Sequence, residues 1–376
     1  MDAPVLIVGG GPAGSAAAVT LARAGRAPMV IERSSAASAV VCGGFLGWDA
    51  LAALRGLGVD VPALGARPIR RVRLFSGSRS AEAELPHPAA GLSRRTLDAA
   101  LLASAEAAGA TVLRGCAARA ADPAGRTVRL ADGRTITCDA LFLATGKHEL
   151  RGAMRDLSGR GARLAVGIRM ELPPTPERDQ ALASTVELHL FAHGYAGLLL
   201  QEDGTANLCL SVSQHRLREA GGAKLLLDEI MQEAPVLAAR VGSDQPMEFE
   251  AIAGVPYGWR AQTTQANLFR IGDQGAVIAS LVGDGIAIAL TSGRSAAAAM
   301  LAEGAAAAPD WQRGFACHAR RPIAIAEVLR RTASHPFAAR MAVRGLSLMP
   351  GLSRLAARMT RIESGHAAVN TCAARR

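Results

Sequence analysis

The sequence predicts an α/β protein in which a Rossmann-like, dinucleotide-binding domain carries an inserted, mostly antiparallel β-sheet domain and a C-terminal helical segment. Three observations lead to this prediction. A strand, a glycine-rich turn, a helix and a second strand follow one another within the first 33 residues. A strand followed by Gly and Asp returns near residue 270. Short alternating runs between these segments are typical of antiparallel strands.

The first 33 residues predict a nucleotide-binding crossover. Residues 5–8 are apolar and partly β-branched, which predicts a strand buried on both faces. Pro12-Ala13 begins a run of helix formers that ends at Gly25 as a left-handed cap would, and residues 29–31 predict the next strand. The N–H groups at the start of such a helix suit phosphate groups.

Three glycines of the turn, Gly9, Gly11 and Gly14, have the GxGxxG spacing. Gly9 permits a tight turn, Gly11 lets a pyrophosphate approach the backbone, and Gly14 lets helix and strand pack closely. Glu32 ends the second strand and can accept hydrogen bonds from both hydroxyls of an adenosine ribose. An acid there favours FAD or NAD over NADP, so we predict an adenine dinucleotide extended across this crossover.

The same pattern continues along the chain. Residues 94–110 predict an amphipathic helix, residues 111–113 a strand, and residues 127–137 a hairpin with an Asp-Gly turn. Residues 141–143 predict a buried strand that ends at Ala144-Thr145-Gly146.

A second glycine-rich region follows residue 268. Residues 268–271 predict a strand, Gly272-Asp273 follows it, and Gly283-Asp284-Gly285 opens an apolar helix over residues 286–301. An Asp at a strand end suits a ribityl or ribose hydroxyl. A glycine-rich helix start can approach a flavin ring and stabilise negative charge on it.

The middle of the chain does not have Rossmann periodicity. Alternating strands are predicted over residues 163–171, 184–191, 195–201 and 207–212. We predict a discontinuous FAD-binding domain (1–65, 91–155 and 262–305), a substrate domain (66–90 and 156–261) and a C-terminal helical segment (306–376).

Leucines on one predicted sheet face leave two interpretations open. Leu198, Leu200, Leu208 and Leu210 either surround a hydrophobic substrate or form a packed core, and Tyr195 is a further candidate substrate residue. The tail offers a similar choice, because Leu346, Leu348, Met349, Leu352 and Leu355 lie among arginines. That stripe predicts either a helix packed on the body or a peripheral membrane contact.

Composition narrows the class of protein. Half of the 376 residues are hydrophobic and a fifth are charged, which excludes a disordered chain. The net charge is +10, but the arginines are dispersed and aromatic residues make up 3%, so nucleic-acid binding is not expected. An anionic cofactor or a membrane surface suits this charge better.

Cysteine spacing and the N-terminal run bear on the compartment. The six cysteines lie far apart without a CxxC pair, which predicts reduced thiols, no metal site and a cytoplasmic location. His189 and His193 have a spacing that a strand does not bring together. Residues 3–22 carry no charge, but Gly9-Gly10-Gly11-Pro12 argues against a spanning helix or signal peptide.

These motifs together resemble a known group. The turn with Glu32, Ala144-Thr145-Gly146, and Gly272-Asp273 with residues 283–286 resemble the FAD-binding motifs of glutathione-reductase-type flavoproteins. Within that group the chain is similar to the branch of aromatic hydroxylases and geranylgeranyl reductases. Arg94 with Leu97-Asp98 matches the branch's Arg-x-x-apolar-Asp pattern.

Further residues extend the resemblance toward the geranylgeranyl reductases. Cys42-Gly43-Gly44 resembles their Cys-Gly-Gly, and Gly194-Tyr195 resembles the start of their substrate-sheet motif, whose Trp and Phe-Pro are missing. The cofactor-binding residues predicted from motifs and resemblance are Gly9, Gly11, Pro12, Ala13, Gly14, Glu32, Arg33, Cys42, Gly43, Arg94, Ala118, Thr145, Gly146, Asp273, Gly283, Gly285 and Ile286.

Departures from the motifs leave the reaction open. Thr145-Gly146 lacks the Asp usual in hydroxylases, Ser280 replaces a usual Pro, and the Trp-x-Trp-x-Ile-Pro motif of flavin halogenases is absent.

The resemblance implies FAD, with NAD(P)H as a transient electron donor because no second GxGxxG is found. We expect an FAD-dependent monooxygenase acting on a hydrophobic aromatic, polyketide-like or lipidic molecule. The alternatives are a reductase of isoprenoid double bonds and a flavin electron-transfer protein. No catalytic acid or base is identified.

Overall fold

The computed structural model describes residues 2–158, 164–242, 248–348 and 359–362. Its strands are β1 (Val5–Val8), β2 (Met29–Ile31), β3 (Phe45–Leu46), β4 (Arg67–Ser76), β5 (Arg79–Gly91), β6 (Thr111–Leu113), β7 (Ala118–Asp122), β8 (Thr127–Leu130), β9 (Thr135–Thr137), β10 (Ala140–Leu143), β11 (Ala165–Leu172), β12 (Thr185–Phe191), β13 (Gly194–Leu200), β14 (Ala206–Ser213), β15 (Glu250–Val255) and β16 (Leu268–Arg270). Its helices are α1 (Pro12–Arg23), α2 (Trp48–Gly56), α3 (Arg94–Ala107), α4 (Pro176–Leu182), α5 (Gln214–Glu219), α6 (Ala223–Glu233), α7 (Pro235–Val241), α8 (Gly285–Glu303), α9 (Ala308–His318), α10 (Arg320–Ala333) and α11 (Pro336–Leu348).

A five-stranded parallel sheet forms the nucleotide-binding part, in the order β16-β10-β1-β2-β6. Its central strands β1 and β10 are fully buried, as the apolar runs predict, because helices pack on one face of the sheet and a three-stranded sheet, β7-β8-β9, packs on the other. Helices α1 and α8 cross closely beneath it, since a Cβ on Gly293 would lie 2.1 Å from the Ala13 carbonyl oxygen. The hairpin β8–β9 has its predicted turn, with Gly133 at φ +91°.

An eight-stranded sheet has the order β15-β11-β14-β13-β12-β4-β5-β3. All its pairs are antiparallel except β12 with β4, which are parallel. The predicted mixed architecture is therefore confirmed. The two segments predicted for the substrate domain supply seven of its strands, and β3 comes from the segment predicted for the FAD-binding domain. The domain boundaries stay a prediction.

Four helices, α4 to α7, were not predicted from the sequence. They cover one face of the eight-stranded sheet, where Leu226, Leu227, Ile230 and Leu237 join a core with the sheet's own apolar residues. Residues 223–233 have helical apolar spacing, but they follow a series of strands that suggested a sheet alone.

Among the described residues, helix α8 is the one helix that is long and apolar enough to span a membrane. However, 67% of its apolar window is buried inside the protein, as in a core helix.

Cys42, Cys116, Cys138 and Cys209 are free. Cys317 is disulfide-bonded, which corrects the expectation that all six thiols are reduced. Arg163, Met349, Leu352 and Leu355 lie outside the described residues.

Candidate functional site

In the glycine-rich turn between β1 and α1, glycine has two roles: it allows the backbone to pack closely, or it leaves space for a ligand. Gly9 has φ +108°, and a Cβ there would lie 2.4 Å from the Ala144 carbonyl oxygen. A Cβ on Gly14 would lie 1.9 Å from the Gly9 carbonyl oxygen. At Gly11 the nearest atom would be Nη2 of Arg94 at 3.4 Å, an ordinary contact. The protein's own packing therefore requires Gly9 and Gly14, whereas it leaves space above Gly11.

Glu32 holds the turn in place from the end of β2. Its Oε2 accepts the Gly10 N–H at 2.8 Å, and its Oε1 accepts the Ser34 N–H at 2.9 Å. A carboxylate has about four acceptor sites, so each oxygen can still accept a ribose hydroxyl. The Glu32 carbonyl oxygen accepts the Cys116 N–H, two residues before Ala118, which begins β7. Glu32 and Ala118 thus border the same end of the turn.

Arg94 places a positive charge beside Gly11. Its guanidinium donates twice to Asp98, from Nε at 2.8 Å and from Nη2 at 2.6 Å. Burial alone would lower the pKa of Arg94, but Asp98 and then Cys42 outweigh it and raise the pKa above its usual value. The N-cap Ser93 fixes the start of α3 by accepting the Thr96 N–H. Arg94 is therefore held rigidly where a pyrophosphate is predicted.

Two buried side chains tie the loop after β10 to the turn after β16. Gln274 donates from Nε2 to the carbonyl oxygens of Gly146 and His148, at 2.9 and 3.0 Å. Arg155 donates to the carbonyl oxygens of Lys147 and Asp273, at 3.0 and 3.1 Å. The carboxyl ends of parallel strands meet at one sheet edge, and this is where nucleotides bind in such sheets.

Lys147 is a site residue that the sequence analysis missed. Its Nζ lies 3.7 Å from Oδ2 of Asp273 and donates to the Val41 carbonyl oxygen at 3.2 Å. Burial would lower the pKa of Lys147, yet Asp273, Cys42 and Tyr257 together raise it, so the ammonium stays charged. Lys147 is one of two lysines in the chain and directly follows Gly146, a signal that could have identified it.

The segment around Cys42 lies against the eight-stranded sheet. Asn207 of β14 donates from Nδ2 to the Cys42 carbonyl oxygen at 3.0 Å. Cys209 lies two residues further along the same strand face, where burial and then Cys42 raise its pKa to about 12. That thiol is protonated at neutral pH and is not a nucleophile. A Cβ on Gly43 would meet nothing within 4 Å, so this backbone borders open space.

The turn that opens α8 has a packed side and an open side. Gly283 has φ +75°, and a Cβ there would lie 2.6 Å from the Phe45 ring. A Cβ on Gly285 would meet nothing within 4 Å. The Ile286 side chain is buried in the core, so its backbone N–H is the group left for a ligand. Asp284 is fully buried and pairs with Arg361.

Four hydroxyl groups form a cluster beside this turn. Ser280 Oγ lies 2.5 Å from the Tyr195 hydroxyl and 2.8 Å from the Tyr257 hydroxyl. Ser211 donates to the Tyr257 hydroxyl at 3.3 Å. Burial raises the pKa of Tyr195 well above its usual value, so this phenol is a neutral hydrogen-bond donor. We call Tyr195, Ser211, Tyr257 and Ser280 the hydroxyl cluster.

The leucines expected around a substrate lie on the other face of the sheet. Leu198, Leu200, Leu208 and Leu210 are buried in the core under α4 to α7. Tyr195 and Asn207 point to the nucleotide-binding part, and side chains alternate along a strand, so residues 198, 200 and 210 point away from it. This corrects the expectation that Leu198, Leu200 and Leu210 line a substrate cavity. Their pattern was that of a packed core.

A different apolar set lies on the face toward the α8 turn. Leu188 pairs with Gly197 and therefore shares the face of Tyr195. Leu74 and Leu281 are half-buried beside Tyr195, and Phe45 and Val72 are half-buried next to Leu199 and Val186. The sheet thus presents apolar side chains around the hydroxyl cluster.

The remaining predicted residues are distributed around the turn. Thr145 donates from its hydroxyl to the His148 carbonyl oxygen at 2.7 Å. Arg33 is exposed, with Nη2 3.0 Å from Nε2 of His148. Burial lowers the pKa of His148, as do Arg33, Lys147 and Arg155, so a neutral ring accepts this bond. Pro12 and Ala13 are buried in α1, where Ala13 can offer a ligand its backbone N–H, a group that proline lacks. In the described residues no cluster of metal-ligating side chains occurs.

Comparisons with known proteins agree with this arrangement. A family model described as an FAD binding domain matches residues 2–166. A menaquinone reductase from Mycobacterium tuberculosis is 30% identical over 313 residues, covering 79% of this chain and 76% of that protein. Digeranylgeranylglycerophospholipid reductase 2 from Methanopyrus kandleri is 26% identical with the same coverage. The structure of a flavin-dependent brominase, Bmp2, superposes with a TM-score of 0.70 at 16% identity, covering 100% of this chain and 99% of the brominase. At that identity the last match shows the fold alone.

Proposed function

Since the chain belongs to the family of FAD-dependent oxidoreductases with this FAD binding domain, we propose that it reduces carbon–carbon double bonds in the isoprenoid part of a hydrophobic small molecule. The observation that carries the proposal is the apolar surface beside the α8 turn, formed by Phe45, Leu74 and Leu188 of the sheet and by Leu281 just before the turn. Two relatives named as reductases, similar over about three quarters of their length, support it. On this support we propose double-bond reduction ahead of the oxygenation that was expected first from the sequence.

The residues present fit FAD. The space above Gly11, the charge of Arg94 and the N-terminus of α1 would hold the pyrophosphate. Glu32 would accept the ribose hydroxyls. Gly43 and Gly285, which border open space, would leave room for the flavin ring, with Lys147 and Asp273 near it.

When bound and reduced, the flavin would supply a hydride to one carbon of the double bond. The chain's own residues would hold the isoprenoid on the apolar face and exclude water from it. The other carbon needs a proton, and we propose the hydroxyl cluster as its source, because Ser280 lies three residues before Gly283. We further propose that NAD(P)H binds transiently and reduces the flavin.

The hydroxyl cluster also supports the second candidate, a monooxygenase. A phenolic substrate could share the hydrogen bonds that now join Tyr195, Tyr257 and Ser280. Oxygenation and double-bond reduction both require this site, but oxygenation alone requires molecular oxygen.

Product mass under controlled oxygen separates these reactions. The FAD-loaded protein would be reduced without oxygen and given either a polyprenyl quinone or a phenolic compound, with the protein stripped of FAD as the control. We expect the polyprenyl product to gain two hydrogen atoms without oxygen. A product that gains one oxygen atom only after oxygen is admitted would establish the monooxygenase instead. Flavin reoxidation with neither product would indicate an electron-transfer protein.

A further inference from the structure

Helix α11 has one face in the protein and one face toward solvent. Ala339 and Val343 are buried against Ala81, Leu190 and Tyr195 of the eight-stranded sheet. On the other side Phe337 is 64%, Met341 48% and Leu348 74% exposed. Large apolar side chains are thus exposed on a helix whose inner face already has its partner.

The exposed residues form a single stripe. An α-helix turns about 100° per residue, so positions 337, 341 and 348 lie within about 40° of one another around the axis. Arg340 and Arg344 fall on the same side, and both are exposed. Leu346 lies on the inner face, half-buried in the cluster with Tyr195. Of the stripe expected from the sequence, Leu346 therefore faces the protein and Leu348 faces solvent, where Phe337 and Met341 join it.

The surroundings of the stripe are basic. Residues 320–348 contain six arginines and one acidic residue, Glu327. Glu327 pairs with Arg330 and Arg331 on its own helix. In the described parts of the chain no ion pair reaches Arg340 or Arg344. An apolar stripe with unpaired cations beside it is complementary to an anionic lipid surface.

We propose that α11 docks this protein on an anionic lipid bilayer. Phe337, Met341 and Leu348 enter the boundary between headgroups and acyl chains, while Arg340 and Arg344 contact lipid phosphates. This inference rests on exposure and charge and does not require the proposed function. If both hold, the helix that contacts lipid also packs on Tyr195 of the hydroxyl cluster. A membrane-dissolved substrate would then reach the site without crossing water.

Vesicle binding by the full FAD-loaded protein tests the proposal. Sedimentation would compare vesicles of phosphatidylcholine alone with vesicles that also contain phosphatidylglycerol. Three variants are needed: Phe337→Ser with Met341→Ser and Leu348→Ser, Arg340→Glu with Arg344→Glu, and Leu225→Ser. The last is the matched control, because Leu225 is 56% exposed on α6, away from the stripe.

The native protein should bind the anionic vesicles and lose that binding as salt increases. Both stripe variants should weaken partitioning about tenfold or more, whereas Leu225→Ser should not change it. The charge variant keeps the proposal testable if the apolar variant does not fold.

Three outcomes would overturn the proposal. The native protein could fail to bind anionic vesicles, or Leu225→Ser could weaken vesicle binding as much as the stripe variants do. A concentration-dependent dimer that the apolar stripe variant abolishes would make a second copy of the chain the occupant instead. Because none of these measurements uses turnover, failure here would leave the proposed reaction untouched.

Discussion

Gly11 and Gly14 belong to one turn, but their neighbours differ. A Cβ at Gly14 would overlap the Gly9 carbonyl oxygen at 1.9 Å, whereas one at Gly11 would lie 3.4 Å from the Arg94 side chain. We expect Gly11→Ala to fold with nearly unchanged thermal stability and to lose FAD affinity about 100-fold, because the methyl group would occupy the pyrophosphate position. Gly14→Ala should either fail to fold or have a much lower melting temperature.

Flavin titration and thermal melting of the apoproteins measure both effects. Unchanged FAD affinity in a folded Gly11→Ala variant would show that the pyrophosphate lies elsewhere. Equal melting temperatures for the two variants would contradict the packing argument.

Glu187 shows how one residue can connect a strand with a helix. It is fully buried in β12 and accepts hydrogen bonds from Arg73 of β4, Arg240 of α7 and the His189 ring. Burial alone would raise the pKa of Glu187, but His189 and Arg240 outweigh it and lower the pKa below 4.5. The stability from this ionised group is therefore present above pH 4.5 and is lost as the pH falls through the lowered pKa.

We expect Glu187→Gln to lower the free energy of unfolding by about 1–3 kcal/mol at pH 7, because it leaves the half-buried Arg73 and Arg240 without the carboxylate that they share. The difference from the native protein should shrink below pH 4.5. Glu82→Gln is the control, since Glu82 bonds the same Arg73 from a more exposed position and should cost about 1 kcal/mol or less. Urea unfolding across pH would measure both, and equal losses would contradict the network.

The two faces of β12 to β14 make a prediction at the scale of the element. Leu210 is buried in the core under α4 to α7, whereas Leu188 is half-buried on the face of Tyr195. Leu210→Ala should lower the free energy of unfolding by about 2–5 kcal/mol and leave KM for substrate unchanged. Leu188→Ala should cost less stability and raise KM, because it removes apolar contact with the substrate.

Urea unfolding and steady-state kinetics on the same preparations would separate these effects. A KM change confined to Leu210→Ala would restore the substrate face that the sequence suggested.

At the scale of the whole molecule, Arg361 joins the C-terminal segment to the nucleotide-binding part. Arg361 pairs with Asp284 at the start of α8 and reaches Oδ1 of Asp49 on α2 at 3.3 Å. Its guanidinium lies 4.0 Å from the centre of the Trp48 ring. Arg361 therefore joins α2, 312 positions earlier in the chain, to the turn where the flavin ring is predicted.

Arg361→Ala should lower the free energy of unfolding by about 3–5 kcal/mol, since Asp284 would stay buried without a cation. It should also weaken FAD binding, because the Gly283–Gly285 turn loses its support. Arg313→Ala removes an exposed pair with Asp310 and serves as the control. Thermal melting with and without FAD measures both effects. Native stability in Arg361→Ala would mean that the pair contributes nothing.

Local patterns in the sequence were sufficient for the β1-α1-β2 crossover and its turn. The glycine spacing, the β-branched runs and Glu32 act over about 30 residues, so neighbours in sequence are neighbours in space. The hairpin at Gly133 and the strands β11 to β14 follow for the same reason, since turn residues and alternation are local signals. Helices α4 to α7 were missed because their signal competed with the surrounding strands.

By itself the sequence determined the glycine-rich turn and the acid that holds it, because that geometry depends on glycines and a carboxylate at fixed short spacings. Only the tertiary structure decided which face of the eight-stranded sheet looks toward the α8 turn. Alternation marks two faces of a strand and gives no sign of which one a distant helix will cover. The same holds for Lys147, the hydroxyl cluster and Arg361, whose partners lie on other elements and are brought together by packing alone.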